Sequence, residues 1–154
     1  MDLKIVEYTP KYREAFRNMN VEWISKYFKM EESDYKALDH PDEYIIDKGG
    51  AILIVLCDDE PAGVCALIKM DHEVYDFELA KMAVSPKFHG NGIGYKLGLA
   101  IIEKAKSMGG KKLYLESNTV LGPAIHLYYK LGFSKVEGVH SPYERCNIQM
   151  EFDL

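Results

Sequence analysis

Ten consecutive residues, Ser85-Pro86-Lys87-Phe88-His89-Gly90-Asn91-Gly92-Ile93-Gly94, carry the densest chemical signal in this 154-residue chain. They leave a strand-like run and open a helix-like one. Successive glycines let backbone N–H groups converge, and a helix N-terminus adds partial positive charge, so the pattern suits a phosphate. The Walker pattern does not fit, because no Gly-Lys-Ser/Thr follows at the required offset. The dinucleotide fingerprint needs Gly-x-Gly-x-x-Gly, whereas the glycines here stand at 90, 92, 94 and 98. Glu116 does lie where a dinucleotide-binding fold would place its ribose-binding acid. Against that, an antiparallel meander precedes the loop, and too little chain follows Glu116 for further parallel units. The plainer alternative is a turn at Asn91-Gly92 with glycines that serve packing.

Other residues could do chemistry beside that loop. Glu78 is an acid in an otherwise apolar strand, so it either faces solvent or is aimed at a cleft; strand alternation groups it with Ala80, Met82 and Val84. Tyr128 falls with Ala124, Leu127 and Leu131 on the inward stripe of a helix, while Tyr129 falls off it. Lys87, Lys96 and Lys130 are either phosphate contacts or solvated side chains. His40, His72, His89, His126 and His140 form no i, i+4 pair and have no neighbouring cysteine set, so no metal site is expected.

The elements that must position these residues follow from periodicity. Residues 4–8 read as an opening strand, and Pro10 starts a helix whose stripe Tyr12, Phe16, Met19, Trp23 and Tyr27 is expected in the core. Residues 31–47 read as short helices with an acidic, solvated face. Residues 51–57 and 63–70 pair as a hairpin across a turn at 58–62, and 75–84 adds the next strand. A helix from Ile93 ends at Gly109-Gly110, 113–115 is a strand, 123–131 a short helix stopped by Gly132, and two β segments lie around Val136 and Ile148. The sum is one α/β domain spanning residues 1–154, with a mixed sheet and no linker long enough to divide it.

Composition narrows the function classes. A net charge of −5 offers no footprint for a phosphate backbone, so nucleic acid is not an expected partner. The longest apolar run, 51–57, is far short of the roughly 20 residues that span a bilayer. The N-terminus carries charges where a secretory signal needs an apolar stretch, which implies a cytoplasmic location. Cys57, Cys65 and Cys146 are an odd number without Cys-x-x-Cys spacing and read as buried thiols on strands.

The segment Glu78-Leu79-Ala80-Lys81-Met82-Ala83-Val84-Ser85-Pro86, followed by His89-Gly90-Asn91-Gly92-Ile93-Gly94, resembles motif A of the GNAT superfamily of N-acetyltransferases. Ala124-Ile125-His126-Leu127-Tyr128-Tyr129-Lys130-Leu131-Gly132-Phe133 resembles its motif B. The two occur in the family's order, and His89 departs from the usual Arg or Gln. The resemblance implies a mostly antiparallel central sheet with splayed fourth and fifth strands, flanked by helices. It implies transfer of an acetyl group from acetyl-CoA to a primary amine, on a small molecule, peptide or protein, in a ternary complex. Glu78 would be the general base and Tyr128 the acid that protonates the thiolate. Backbone groups at Met82, Ala83 and Val84 would meet the oxyanion and pantetheine, and His89, Gly90, Asn91, Gly92, Ile93, Gly94, Asn118 and Lys130 would hold the cofactor. A base is useful because an amine of pKa near 10.4 is neutral only about one time in 2,500 at pH 7. Homodimers are common in the family. The rival reading from another class is a non-catalytic acyl-CoA-binding or sensing module.

Overall fold

The computed structural model describes residues 2–154. Its organising element is the apolar run predicted as a strand, β2 (Ala51–Cys57), buried at every position. A strand buried on both faces needs cover on both, and this sheet has it. Ala51, Leu53, Val55 and Cys57 enter one core, packed under helices α3 (Ile93–Ser107) and α4 (Gly122–Leu131). Ile52, Ile54 and Leu56 enter a second core with Phe16, Ile24 and Leu38 of α1 (Arg13–Tyr27) and α2 (Glu32–Asp39). Each fully buried Leu or Ile contributes roughly 1.5–3 kcal/mol, so the two layers clamp the sheet from opposite sides.

The remaining strands are β1 (Leu3–Glu7), β3 (Glu60–Lys69), β4 (Phe77–Val84), β5 (Lys112–Ser117), β6 (Ser134–Val136) and β7 (Ile148–Asp153). They form one seven-stranded sheet in the order β1-β2-β3-β4-β5-β7-β6. Every neighbouring pair is antiparallel except β4 and β5, which are parallel and joined through α3. That parallel pairing is short. It holds at Phe77 with Leu113 and Glu78 with Tyr114, and from Leu79 onward the two strands are no longer paired. The mixed sheet with a parting between its fourth and fifth strands is the architecture that the sequence implied.

Several local expectations are corrected. The β2–β3 connection is tighter than the five-residue turn anticipated: Asp58 and Asp59 alone make it, both at positive φ (49° and 68°), as a two-residue hairpin with the native strand twist requires. In α1 the buried side chains are Phe16, Asn20 and Ile24; Tyr27 is exposed and Trp23 is only half-buried. Asn20 is tolerated inside because its amide donates to the Phe16 carbonyl at 3.0 Å and its Oδ1 accepts the Trp23 indole N–H at 3.0 Å. Cys57 and Cys65 are buried on strands as expected, but Cys146 is half-buried in the loop before β7.

A bulge in β4 resets the strand's parity. Ala66 pairs with Ala80 and Val64 with Ala83, so Lys81 and Met82 together oppose Cys65. Lys81 takes a left-handed φ of 53°, a conformation that costs a non-glycine residue on the order of 1–3 kcal/mol. Simple alternation grouped Glu78 with Met82 and Val84; across the bulge that grouping fails. Glu78 pairs with Ile68 and, like Ala80 and Ala83, belongs to the α1/α2 face, while Met82 and Val84 pack on the α3/α4 core.

Candidate active site

Where β4 and β5 part, a cavity of about 530 Å³ opens. Because it sits in a gap of the sheet, side chains from both layers reach it. Trp23 and Phe28 wall it on the α1 side, and Ala124 and Tyr128 on the α4 side. Glu78, Lys81, Met82 and Ala83 line it from β4, the last three beyond its pairing with β5, and Glu116 and Asn118 from β5 and its end.

Glu78 makes no hydrogen bond or ion pair among the described residues. Desolvation, reinforced by the nearby Glu116 charge and opposed by Lys81, pushes its carboxyl up to about 8. Tyr128 lies at the opposite side of the same cavity. Its ring is edge-on to Phe133 at 6.2 Å and almost buried, and burial, with Cys65 beside it, raises its phenol. The helical stripe correctly separated it from Tyr129, which is exposed.

The glycine loop divides into two functions. Gly90 and Gly92 have positive φ (84° and 70°), and a Cβ on either would meet nothing within 4 Å, so their backbones border open space. Gly92 is also the N-cap of α3, whose first-turn N–H groups therefore point out beside the loop. Gly94 and Gly98 instead permit close packing: a Cβ would come within 3.2 Å of Leu127 and 2.4 Å of Leu131. Asn91 fixes the loop by donating to the Phe88 carbonyl at 2.8 Å, and the His89 imidazole reaches back to the Val84 carbonyl at 3.0 Å while lining the cavity. Ile93 is buried under the sheet.

Two other anticipated residues sit differently. The Asn118 amide donates to the Arg145 carbonyl at 2.7 Å and its Oδ1 accepts the Val120 N–H at 2.9 Å, so it pins the end of β5 to the loop before β7. Lys130 lies outside the cavity, in the last turn of α4, with its ammonium 4.5 Å from the Tyr95 ring centre.

What sequence reasoning missed is an ionic knot beside the cavity. Asp34, read as part of a solvated acidic face, is fully buried. It receives Lys81 at 2.5 Å and both guanidinium nitrogens of Arg145 at 2.6 Å. Burial alone would raise its carboxyl, but the Arg145 hydrogen bonds and the Lys81 charge outweigh that and hold it at about 2. Tyr143 closes the knot, accepting from Lys81 at 3.0 Å and stacking its ring 4.4 Å from the Arg145 guanidinium. In the sequence Glu116 stands out only through the spacing of a dinucleotide-binding fold, yet it lines the cavity.

The Acetyltransferase (GNAT) family profile matches residues 16–133. The chain belongs to the GNAT acetyltransferase family. It is 35% identical over 98 residues to spermidine N(1)-acetyltransferase of Escherichia coli, a match covering 63% of this chain and 52% of that relative. Across the curated Escherichia coli relatives the matched stretch spans 36% to 52% of their own length. Among solved structures, a GNAT-family acetyltransferase of Staphylococcus aureus superposes with a TM-score of 0.87 over 99% of both chains at 19% identity. A Bacillus subtilis acetyltransferase in complex with CoA gives 0.72 over 99% of both at 20% identity, and at such identities the likeness is one of GNAT fold. No helix among the described residues is long and apolar enough to cross a membrane.

Proposed function

We propose that this GNAT protein is an N-acetyltransferase that moves the acetyl group of acetyl-CoA directly to a primary amine bound in the same cavity. The observation that carries the reading is that Glu78 and Tyr128, one from each layer of the fold, face a single cavity through the parting of β4 and β5. In this reading a proton acceptor and a proton donor stand on opposite sides of one reaction volume. The open, positive-φ backbone at Gly90 and Gly92 beside the start of α3 suits a pyrophosphate. The names of relatives support the class: one is a spermidine acetyltransferase, and a protein of the same fold was solved with CoA.

Acetyl-CoA supplies an activated thioester carbonyl. Glu78, ionised, takes the proton that leaves the amine as its nitrogen bonds to the carbonyl carbon, directly or through a water. Backbone N–H groups at Met82, Ala83 and Val84 stabilise the negative charge that develops on the carbonyl oxygen. Tyr128 gives its proton to the departing sulfur as the C–S bond breaks. His89, Asn91, Ile93 and Gly94 shape the loop that holds the cofactor, while Asn118 and Lys130 flank it. The acceptor is a small-molecule or peptide amine, and the reading needs one domain and no metal.

The test is free-thiol release from acetyl-CoA across primary amines, aminoglycosides, amino acids and short peptides, with enzyme-free controls. Acceptor-dependent release is expected. Tight acetyl-CoA binding with no release for any acceptor would replace this reading with that of a sensing module.

A further inference from the structure

We propose that the acceptor is a short diamine or polyamine whose second, unreacting ammonium is held by Glu116, which makes Glu116 a specificity-determining residue of this site. The inference rests on the acetyl-transfer reading for the identity of the reacting amine, and on the charge arrangement of the cavity for the rest.

Both interior cations of the site are already used. Lys81 and Arg145 converge on the buried Asp34, with Arg145 also 3.5 Å from Glu31. Lys26, the other lysine that lines the cavity, is exposed at its rim with its ammonium over the Tyr27 ring. A carboxylate on the acceptor would therefore find no free cation inside the cavity. The carboxylates show the converse. Neither Glu78 nor Glu116 forms an ion pair among the described residues, although both line the cavity. Glu116 is held by hydroxyls instead: Tyr114 donates to Oε2 at 2.8 Å and Ser141 to Oε1 at 2.8 Å, with Gln149 donating to Tyr114 at 2.9 Å.

Neutral donors orient a carboxylate without cancelling its charge. The positive charge that the cavity lacks is thus supplied by the ligand. Glu78 and Tyr114 are register partners on β4 and β5, and Glu116 is two residues further along the same face, so the two acids share one face, offset diagonally by two residues, where the strands part. One amine at Glu78 loses its proton and reacts; the other stays charged at Glu116. The Trp23 and Phe28 wall covers the methylene chain between them. A charge-assisted hydrogen bond of this kind contributes about 1.5–3 kcal/mol, which corresponds to at least a ten-fold preference.

The experiment is calorimetric titration of the CoA-loaded protein with 1,4-diaminobutane, 1-aminobutane and 4-aminobutanoate, for the natural chain and Glu116→Gln. The diamine is expected to bind at least ten-fold more tightly than the monoamine, and the amino acid most weakly. Glu116→Gln, which keeps the shape and one of the two accepting oxygens, should lose about ten-fold for the diamine and stay within about two-fold for the monoamine. Ser141→Ala, which removes one orienting donor, should lower the diamine preference by a smaller factor. Equal affinity for diamine and monoamine, an equal loss for both in Glu116→Gln, or no measurable diamine binding would overturn the proposal. Thiol release without a charge preference would refute this proposal alone. A charge preference without thiol release would refute acetyl transfer and leave the binding site standing.

Discussion

Asp34 and Lys81, 47 positions apart in sequence, meet at 2.5 Å and join helix α2 to the bulge of β4. The pair is almost wholly removed from solvent, and Arg145 completes it from the loop before β7. Removing one member of such a group leaves uncompensated buried charge. Asp34→Asn is therefore expected to destabilise the fold by about 3–5 kcal/mol, measured by urea unfolding at pH 7. The pH dependence has a definite sign. A carboxyl lowered from 3.8 to about 2 contributes stability that is present above pH 3.8 and lost as pH falls toward 2. The difference between wild type and Asp34→Asn should shrink across that window, and a constant difference would remove Asp34 from the charged pair.

Glu78 predicts the rate profile. With its carboxyl pushed up to about 8, a base at this position is mostly protonated at pH 7, so kcat/KM should rise with pH and level off above about 8. Glu78→Gln should lower kcat/KM by roughly 10²–10⁴ near neutrality and flatten the profile. An unchanged profile in the variant would assign the base elsewhere.

The same residue has an opposite effect on stability. A carboxyl raised from 4.5 to about 8 costs the folded state stability as pH climbs through that interval. Glu78→Gln is expected to match wild type near pH 4 and to melt at a higher temperature at pH 9; thermal scans at the two pH values decide it.

For Tyr128, the hydroxyl can be removed while the ring against Phe133 is kept. Tyr128→Phe should slow turnover and leave the Kd for acetyl-CoA within about two-fold. If steady-state kinetics show no change in kcat, the residue serves packing alone.

At Gly92 the strain and the ligand are separable. Its φ of 70° lies in open space, so alanine clashes with nothing but pays roughly 1–2 kcal/mol for the left-handed conformation. Gly92→Ala should lower the unfolding free energy by that amount and weaken acetyl-CoA binding, read by calorimetry. Preserved affinity would take the loop out of the phosphate site.

Much of this was legible in the residues. The β2 strand follows from its apolar run, and the α3 and α4 stripes and the inward placement of Tyr128 from local periodicity, which the tertiary structure left intact. What was not legible depends on partners distant in sequence. Asp34 looks like any member of an acidic run until Lys81 and Arg145 arrive from β4 and the loop before β7. The parity of Met82 and Val84 was misjudged because no glycine marks the bulge; a lysine occupies the left-handed position, held there by its distant carboxylate. Trp23 reads as core from its spacing, and only the parting of β4 and β5 turns it toward a cavity.

The bulge has a consequence for how this chain tolerates change. From Glu78 to Gly90 the face that each group presents depends on one extra residue in the strand, since Lys81 shifts everything after it by one face relative to simple alternation. A variant that straightened the strand without losing a residue would turn Met82, Ala83 and Val84 to the wrong sides, carrying the start of the glycine loop with them, whereas loss of Lys81 itself would leave the three opposite Cys65, Val64 and Gly63 as they are now. The faces turned by the proposed base and by the approach to the phosphate loop are thus set by the bulge, and Lys81 is the residue that makes it.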